Sequence, residues 1–171
     1  MNKNMISMLR FTALLLLLVT LVSLFASCGG GKGSEKGFSM TYNGFSISPD
    51  MEMSALLAGV KENYTVSESS ACPPFSGKEK LYVFSHIRVQ TYEQDGKDYV
   101  MGIFLRDDSV AINGVKIGAT VAEMQKAFGT DCENAGGTLY IYTAGDGSKL
   151  KFVVKDGAVA SIQLLTKLSV S

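Results

Sequence analysis

KLKFVVKDG, at residues 149–157, alternates apolar and charged side chains and ends in an Asp-Gly pair. Leu150, Phe152 and Val154 fall on one side of an extended chain, whereas the lysines at positions 149, 151 and 155 fall on the other. This alternation predicts a strand with one face against the core and the other face in water. The Asp-Gly pair predicts a tight hairpin after the strand, because both residues tolerate a positive φ.

The same strand-and-turn pattern occurs in the first half of the chain. Ile87, Val89 and Thr91 alternate with RQY at positions 88, 90 and 92, and an Asp95-Gly96 pair follows. Other segments also match between the halves and in the same order, which indicates an internal duplication. The matching pairs are NGFSIS (43–48) with NGVKIG (113–118), LYVFS (81–85) with LYIYT (139–143), and GIFL (102–105) with SIQL (161–164).

A short helical pattern follows the first motif of each half and ends at a glycine. Residues 121–128 start with a capping box, Thr120 with Glu123, and end before Gly129. Residues 49–58 are expected to begin with Ser48 as the cap and Pro49 in the first helical position. We therefore predict an α+β domain of two tandem helix-plus-antiparallel-meander repeats, with the helices packed on one face of the sheet. The repeats span about residues 38–108 and 109–171.

The N-terminus carries an export signal. Residues 1–27 have a basic start, an apolar run from 11 to 26 and small residues directly before Cys28. The cysteine at the cleavage position resembles a bacterial lipoprotein signal, which implies covalent lipid on Cys28 and a lipid-anchored, extracytoplasmic location on the cell membrane. A retained transmembrane helix and an ordinary secretory signal are the alternatives, although the apolar run is shorter than the roughly 20 residues that span a membrane.

The segment between Cys28 and the folded part is a tether. Five of the ten residues at 28–37 are glycine and four are polar or charged, so we expect a flexible linker that separates the domain at 38–171 from the lipid. The mature chain keeps 14 of the 16 basic residues against 16 acidic ones, because Lys3 and Arg10 lie in the signal. This balance gives no electrostatic reason to expect a nucleic-acid partner.

Two cysteines remain once Cys28 is assigned to lipid. Cys72 and Cys132 would lie in an oxidising compartment, where a disulfide between them is plausible. Two separate, partly buried thiols are the alternative. The sequence does not decide between them.

Catalytic and metal-binding patterns are weak. His86 is the only histidine, so a catalytic triad or dyad would have to use it, and its position predicts a turn or strand edge instead. No zinc motif joins His86 to the cysteines, and Asp107-Asp108 lacks the spaced oxygen ligands of a calcium loop, which favours a polar turn. No metal and no cofactor other than the lipid on Cys28 is expected.

Tyrosines are the residues with a binding character. Tyr82, Tyr92, Tyr140 and Tyr142 alternate with aliphatic residues that we expect to face the core. If the tyrosine faces are exposed, they form a rigid amphipathic surface for a partner. The alternative is that the rings pack under the helices or against each other across strands.

CPPFSGKEKLY (72–82), TY (91–92), DDSV (107–110) and GVKIG (114–118) resemble a group of uncharacterised surface lipoproteins of Gram-positive anaerobes. More loosely, the helix-plus-meander units resemble the folds of the outer-membrane assembly lipoprotein BamE and of β-lactamase inhibitory protein. Members of those folds bind proteins, so the resemblance implies a binding role by analogy of fold. We expect a membrane-anchored, non-enzymatic module that binds a protein, peptide or envelope component. The alternatives are an envelope enzyme or enzyme inhibitor, with a site assembled from distant residues, and a structural spacer.

Overall fold

The computed structural model describes residues 36–71, 75 and 77–168, and this part of the chain is built mainly from antiparallel strands. About 48% of the described residues lie in strands and 12% in two short helices. The strands are β1 (Met40–Tyr42), β2 (Phe45–Ile47), β3 (Thr65–Ser70), β4 (Lys78–Val83), β5 (Ile87–Gln94), β6 (Lys97–Leu105), β7 (Glu133–Ala135), β8 (Leu139–Thr143), β9 (Lys149–Lys155) and β10 (Ala158–Leu165). The helices are α1 (Met53–Val60) and α2 (Val121–Phe128).

Eight of the strands form one sheet, in the order β3-β4-β5-β6-β10-β9-β8-β7, and β1 and β2 form a separate hairpin. Every neighbouring pair in the large sheet is antiparallel. The two runs of strands meet where β10 pairs with β6, through Gln163↔Phe104, Leu164↔Ile103 and Leu165↔Gly102. Strands from both halves of the chain therefore belong to a single sheet.

The predicted fold class is wrong. An α+β domain of two tandem helix-plus-meander repeats requires substantial helical layers, whereas the structure has two helices of eight residues each beside a continuous eight-stranded sheet. The physical reason is that each helix buries little: α1 buries Met53, Leu56 and Val60, and α2 buries Met124. Strand pairing and the sheet's own side chains carry most of the fold.

The local strand and turn predictions are confirmed. In β9, Leu150 and Phe152 are fully buried and alternate with half-buried neighbours. The Asp-Gly pairs at 95–96 and 156–157 adopt positive φ at both residues and close two-residue hairpins between β5 and β6 and between β9 and β10. Two successive positive φ values match the twist of the flanking strands, which is why this turn is favoured in hairpins.

The two helices differ in how well the sequence predicted them. Helix α2 has the predicted capping box, in which the Glu123 N–H donates to Thr120 Oγ1 at 3.2 Å and the Glu123 carboxylate accepts from the Thr120 N–H at 2.8 Å. Helix α1 begins four residues later than predicted, after Glu52, which makes no capping bond with its side chain. It also continues past Gly59 to Val60, and Lys61 takes the left-handed conformation that ends it.

An irregularity in β6 explains the late start of α1. Gln90 pairs with Gly102 and Thr91 with Val100, so Met101 is an extra residue in β6. Beyond the end of β10, the segment before α1 lies against β6: the Asp50 N–H donates to the Val100 carbonyl at 2.8 Å, and the Val100 N–H donates to the Met51 carbonyl at 2.9 Å. These bonds to β6, together with the positive φ of 62° at Asp50, keep residues 50–52 out of the helix.

The core lies on one face of the sheet. The buried residues of both helices, together with Tyr42 and Ile47 of the small hairpin, belong to one hydrophobic cluster with alternate residues of the large sheet. The cluster extends to the start of the described chain, where Phe38 is buried and its N–H donates to Ser148 Oγ at 3.1 Å.

Several predictions lie outside the described residues. The signal at 1–27, Cys28 and most of the tether at 28–37 belong to the undescribed segment 1–35. Of the tether, Gly37 lies against Asp146, so closely that an added Cβ would overlap its carboxylate. Within residues 36–168, as far as they are described, neither helix has the length and apolar character needed to cross a membrane.

Candidate binding face

The register of the eight-stranded sheet aligns one set of side chains in rows across its second face. Partners in antiparallel register share a face, so the pairings can be followed from strand to strand. The first row is Val83, Arg88, Phe104, Gln163, Lys151, Ile141 and Glu133. The second is Ser67, Leu81, Gln90, Gly102, Leu165, Lys149 and Thr143, and the third is Ser161, Val153, Leu139 and Ala135. We call the surface made by these three rows the open face.

The open face carries apolar side chains that lie outside the core. Leu81, Phe104, Leu165, Ile141 and Val153 are only half-buried. None of the five belongs to the hydrophobic cluster or to the partly buried residues packed against it. Both helices contribute their buried side chains to the opposite side of the sheet. Among the described residues, the open face is therefore an apolar strip without a covering layer.

Gly102 makes the centre of the open face concave. A Cβ built on Gly102 would lie 3.0 Å from the Phe104 ring and 3.1 Å from Leu165, so these two side chains lean over the glycine. The glycine itself is buried. A larger residue at this position would push both neighbours outward and flatten the centre of the strip.

Two cations flank the apolar centre. Arg88 and Lys151 lie in the first row on either side of Phe104 and Gln163, three strand spacings apart, which corresponds to about 14 Å. Neither makes an ion pair with another described residue. Arg88 is exposed and Lys151 half-buried. The chemistry of the centre is therefore apolar with a positive charge at each end.

A groove of about 370 Å³ lies at the β3 end of the open face. Its walls include Ser67, Ser69, Leu81, Arg88 and Phe104. The two serines are small, which leaves the apolar residues behind them accessible from the edge of the sheet. Next to them, the Gln90 amide donates to Glu79 at 2.9 Å. The groove is also lined by Glu68, Glu79, Lys80 and Gln90, so it combines the apolar side chains of Leu81 and Phe104 with charged groups of both signs.

The predicted tyrosine face is wrong. Tyr82, Tyr92, Tyr140 and Tyr142 are 7%, 6%, 6% and 3% exposed, so they form no accessible surface. In LYVFS and LYIYT both alternating sets are apolar, and the structure buries the tyrosines while it leaves Leu81, Val83, Leu139 and Ile141 half-buried on the other side. Both forms of the alternative occur: Tyr82, Tyr140 and Tyr142 belong to the core, whereas Tyr92 shares the face of Glu79 and packs against Phe75 and, across the strands, against Tyr99.

The buried tyrosines contact other rings and hydrogen-bond through their hydroxyls. Tyr92 stacks on Tyr99 with ring centroids 5.8 Å apart, and its hydroxyl donates to Asp50 at 3.2 Å. The Tyr142 hydroxyl donates to the Gly129 carbonyl at 2.8 Å. Burial, and then the neighbouring Asp50 carboxylate, raises the pKa of Tyr92 to about 12, and burial raises the pKa of Tyr142 well above its ordinary value. These tyrosines are structural.

His86 lies in a turn and pairs with a carboxylate that the sequence did not connect to it. His86 Nδ1 is 2.9 Å from Asp107 Oδ2, and the backbone N–H of His86 donates to the Tyr42 hydroxyl at 3.4 Å. The bond from His86, followed by one from the backbone of Ser109, lowers the pKa of Asp107 to about 2. Among the described residues, no hydroxyl or thiol hydrogen-bonds to the imidazole. The pair therefore lacks the nucleophile that a triad requires.

The acidic pair and Cys132 belong to no candidate metal centre among the described residues. Asp107 and Asp108 lie in the turn after β6, where Asp108 is 3.7 Å from Lys116, and no group of three metal-ligating side chains occurs among the residues that the structure describes. Cys132 carries a free thiol 3.8 Å from the Thr130 carbonyl. The predicted bridge between Cys132 and Cys72 is therefore not seen, and Cys72 itself lies outside the described residues.

No family model matches the chain, and no curated protein and no solved structure matches it. The resemblance to surface lipoproteins of Gram-positive anaerobes, and the looser one to the BamE and β-lactamase inhibitory protein folds, stay predictions.

The sequence reasoning missed the open face because it treated each strand alone. The alternation in β9 did place Lys149 and Lys151 on a wet face. The alternation within one strand did not show that β6 pairs with β10, and this pairing brings Phe104 into the same row as Lys151. The apolar residues beside the tyrosines were a usable signal, because a strand that is apolar on both sides needs cover on both sides.

Proposed function

We propose that this chain is a lipid-anchored, extracytoplasmic binding module that takes up a protein partner on the open face. The observation that carries the proposal is the apolar strip of half-buried side chains across a sheet whose other side already holds the core. Apolar surface of this kind is costly to leave in water and is typical of interaction sites. The absence of a nucleophile beside His86 in the described chain favours binding over hydrolysis.

The dimensions of the open face suit a protein rather than a small molecule. Eight strands are seven spacings wide, about 34 Å, which is comparable to one side of a standard protein interface. The open face includes the groove near β3. A partner on it would bury the apolar strip and would place its own groups over Arg88 and Lys151.

The positive charges of Arg88 and Lys151 indicate which chemical groups a partner would carry. A cation at each end of an apolar centre favours a partner with an apolar patch between acidic side chains. Such charges contribute mainly to the rate and orientation of association, while the buried apolar contacts contribute most of the affinity.

The anchor supplies the location. Lipid on Cys28 would hold the domain at the membrane surface, and stable anchoring requires two or more acyl chains at about 0.8 kcal/mol per buried methylene. A tether of about ten residues would give the domain an r.m.s. reach of roughly 15–18 Å. The partner would accordingly be a protein of the cell envelope.

Site-specific photo-crosslinking on intact cells tests the proposal. A benzophenone amino acid at position 163, in the centre of the open face, should give one dominant crosslinked protein, whereas the same group at Lys126 on α2 should not. The purified crosslinked protein should then bind Lys151→Glu at least tenfold more weakly than the wild type, with Lys126→Glu as the matched surface control. Equal binding by both variants would refute the open-face assignment.

A further inference from the structure

Strand β3 is an open edge of the sheet. It lies at one end of the strand order, and all six of its residues are exposed. Among the residues that the structure describes, it pairs only with β4. Val66, on the side of the core, is 53% exposed, and the neighbouring Tyr64 is 42% exposed. An edge of this kind offers unpaired backbone groups together with apolar side chains.

The pattern of hydrogen bonds between β3 and β4 shows which backbone groups of β3 point away from the sheet. The Ala71 N–H donates to the Gly77 carbonyl at 3.1 Å, which continues the β3–β4 register by one residue. In an antiparallel pair, residues alternate between those bonded to the partner and those that point away. Val66, Glu68 and Ser70 therefore direct their N–H and C=O groups away from β4.

The two edge strands of the sheet, β7 and β3, differ in how readily they could pair with another chain. The opposite edge strand, β7, has only three residues, and very short edge strands resist pairing with other chains. β3 has twice that length, keeps regular register with β4, and contains neither proline nor lysine. Its one charged residue, Glu68, is 2.5 Å from Lys78. Nothing in β3 itself therefore opposes an additional strand.

The groove adjoins this edge on the open face. Ser67 and Ser69 line it with small side chains, and Leu81, Phe104 and Arg88 lie behind them. A strand added beside β3 would send alternate side chains over the serines into this space. An apolar side chain fits against Leu81 and Phe104. A carboxylate fits at the Arg88 end of the groove, four register positions away from the Glu79 carboxylate that also lines it.

We infer that an extended segment of a partner protein adds to β3 as a ninth strand and places alternate apolar and acidic side chains in the groove. The inference rests on the binding function proposed above and specifies how part of the partner is held. Backbone bonds to Val66, Glu68 and Ser70 supply affinity, and the groove supplies selectivity, as in other cases of strand addition.

A second copy of this chain does not fit the groove. Outward-pointing residues must face outward-pointing residues, so Val66, Glu68 and Ser70 of one copy would pair with the same three positions of the other. The side chains delivered to the open face would then come from Thr65, Ser67 and Ser69. These are too small and too polar to fill about 370 Å³ lined by Leu81 and Phe104.

The test uses the full chain in detergent micelles and a phage library of random seven-residue peptides. Selected peptides should alternate apolar and acidic residues. The tightest one, made synthetically, should bind Glu68→Pro at least tenfold more weakly than the wild type, because proline removes one outward N–H without touching a bond to β4. Glu68→Ala, which keeps that N–H, should bind within threefold of the wild type. Val66→Pro and Val66→Ala form a second matched pair if Glu68→Pro does not fold.

The outcomes separate this inference from the proposed function. No enriched peptide, or equal binding to the proline and alanine variants, would overturn strand addition. So would a concentration-dependent dimer that Glu68→Pro abolishes, because the occupant would then be a second copy. If the crosslinked partner loses affinity for Lys151→Glu but keeps it for Glu68→Pro, the open face binds without β3. If it keeps affinity for both variants, the proposed function itself fails.

Discussion

Gly59 of α1 lies directly against the ring of Phe45 in β2, so that a Cβ at position 59 would stand 2.4 Å from the ring carbons. This contact draws the helix onto the small hairpin, and the two elements enclose one end of the core. The glycine has an ordinary helical conformation, since its φ is not among the positive ones. Its role is therefore the close approach.

Replacing Gly59 with alanine should destabilise the protein, although the same change in an exposed helix is stabilising by about 1 kcal/mol. Overpacking at the Phe45 ring costs about 1–3 kcal/mol, which outweighs the gain in helix propensity. Urea unfolding measures the difference. In the Phe45→Ala background, Gly59→Ala should become neutral or stabilising, and a stabilising effect in the wild type would contradict the contact.

Replacing Thr120 with alanine removes the cap of α2. The Glu123 N–H loses its acceptor, and such losses cost about 0.5–2 kcal/mol. Thermal or urea unfolding should report a decrease in this range. Thr120→Ser keeps the hydroxyl and should stay close to the wild type; if it loses as much as the alanine variant, the capping bond is not the cause.

The Asp107 carboxylate should make stability depend on acid pH. Its pKa is lowered from the ordinary 3.8 to about 2 by His86 and by the Ser109 backbone, so the folded state favours the ionised form. The stabilisation is present above about pH 4 and is lost as the pH falls towards 2. The unfolding midpoints of wild type and Asp107→Asn should therefore converge between pH 5 and pH 2. A difference that stays constant over this range would contradict the pairing.

Buried tyrosines should make the protein sensitive to alkali. Burial, followed by the bond to Glu62, raises the pKa of Tyr42 to about 12, and burial, followed by Asp50, does the same for Tyr92. A raised pKa means that the stabilisation holds below pH 10, the ordinary value, and is lost as the pH rises from 10 to 12. Tyrosinate absorbance should show a delayed titration in the folded chain, and the Tyr92→Phe variant should lose less stability over this interval. Titration of all tyrosines near pH 10 in the folded chain would contradict their burial.

Features that depend on a few neighbouring residues were predictable. The Asp-Gly hairpins, the alternation in β9 and the capping box at Thr120 are set by local sterics and local hydrogen bonds, and the structure confirms them. The start of α1 was not predictable in this way. Ser48 and Pro49 form a good helix-start pattern, yet the next residues hydrogen-bond to Val100 of β6 beyond the end of β10, and Asp50 has a positive φ.

Local sequence rules also did not determine which side of a strand is buried. LYVFS and LYIYT are apolar on both sides, so alternation alone does not say which set faces the core. The rows across the sheet decide it, and these depend on contacts between residues about 60 positions apart, such as Phe104 with Gln163. The same long-range pairing creates the open face, which explains why the sheet and its candidate site were missed together.

The central position of β10 has a consequence for biosynthesis. This strand leaves the ribosome after every other described strand, yet it is the one that joins β6 to β9. Until it emerges, the nascent polypeptide holds two separate groups of strands, β3–β6 and β7–β9. In each group, the strand that will pair with β10 still lacks a hydrogen-bonding partner on one side. Closure of the sheet is thus deferred until β10 has been synthesised, when the insertion of this single strand completes both halves at once.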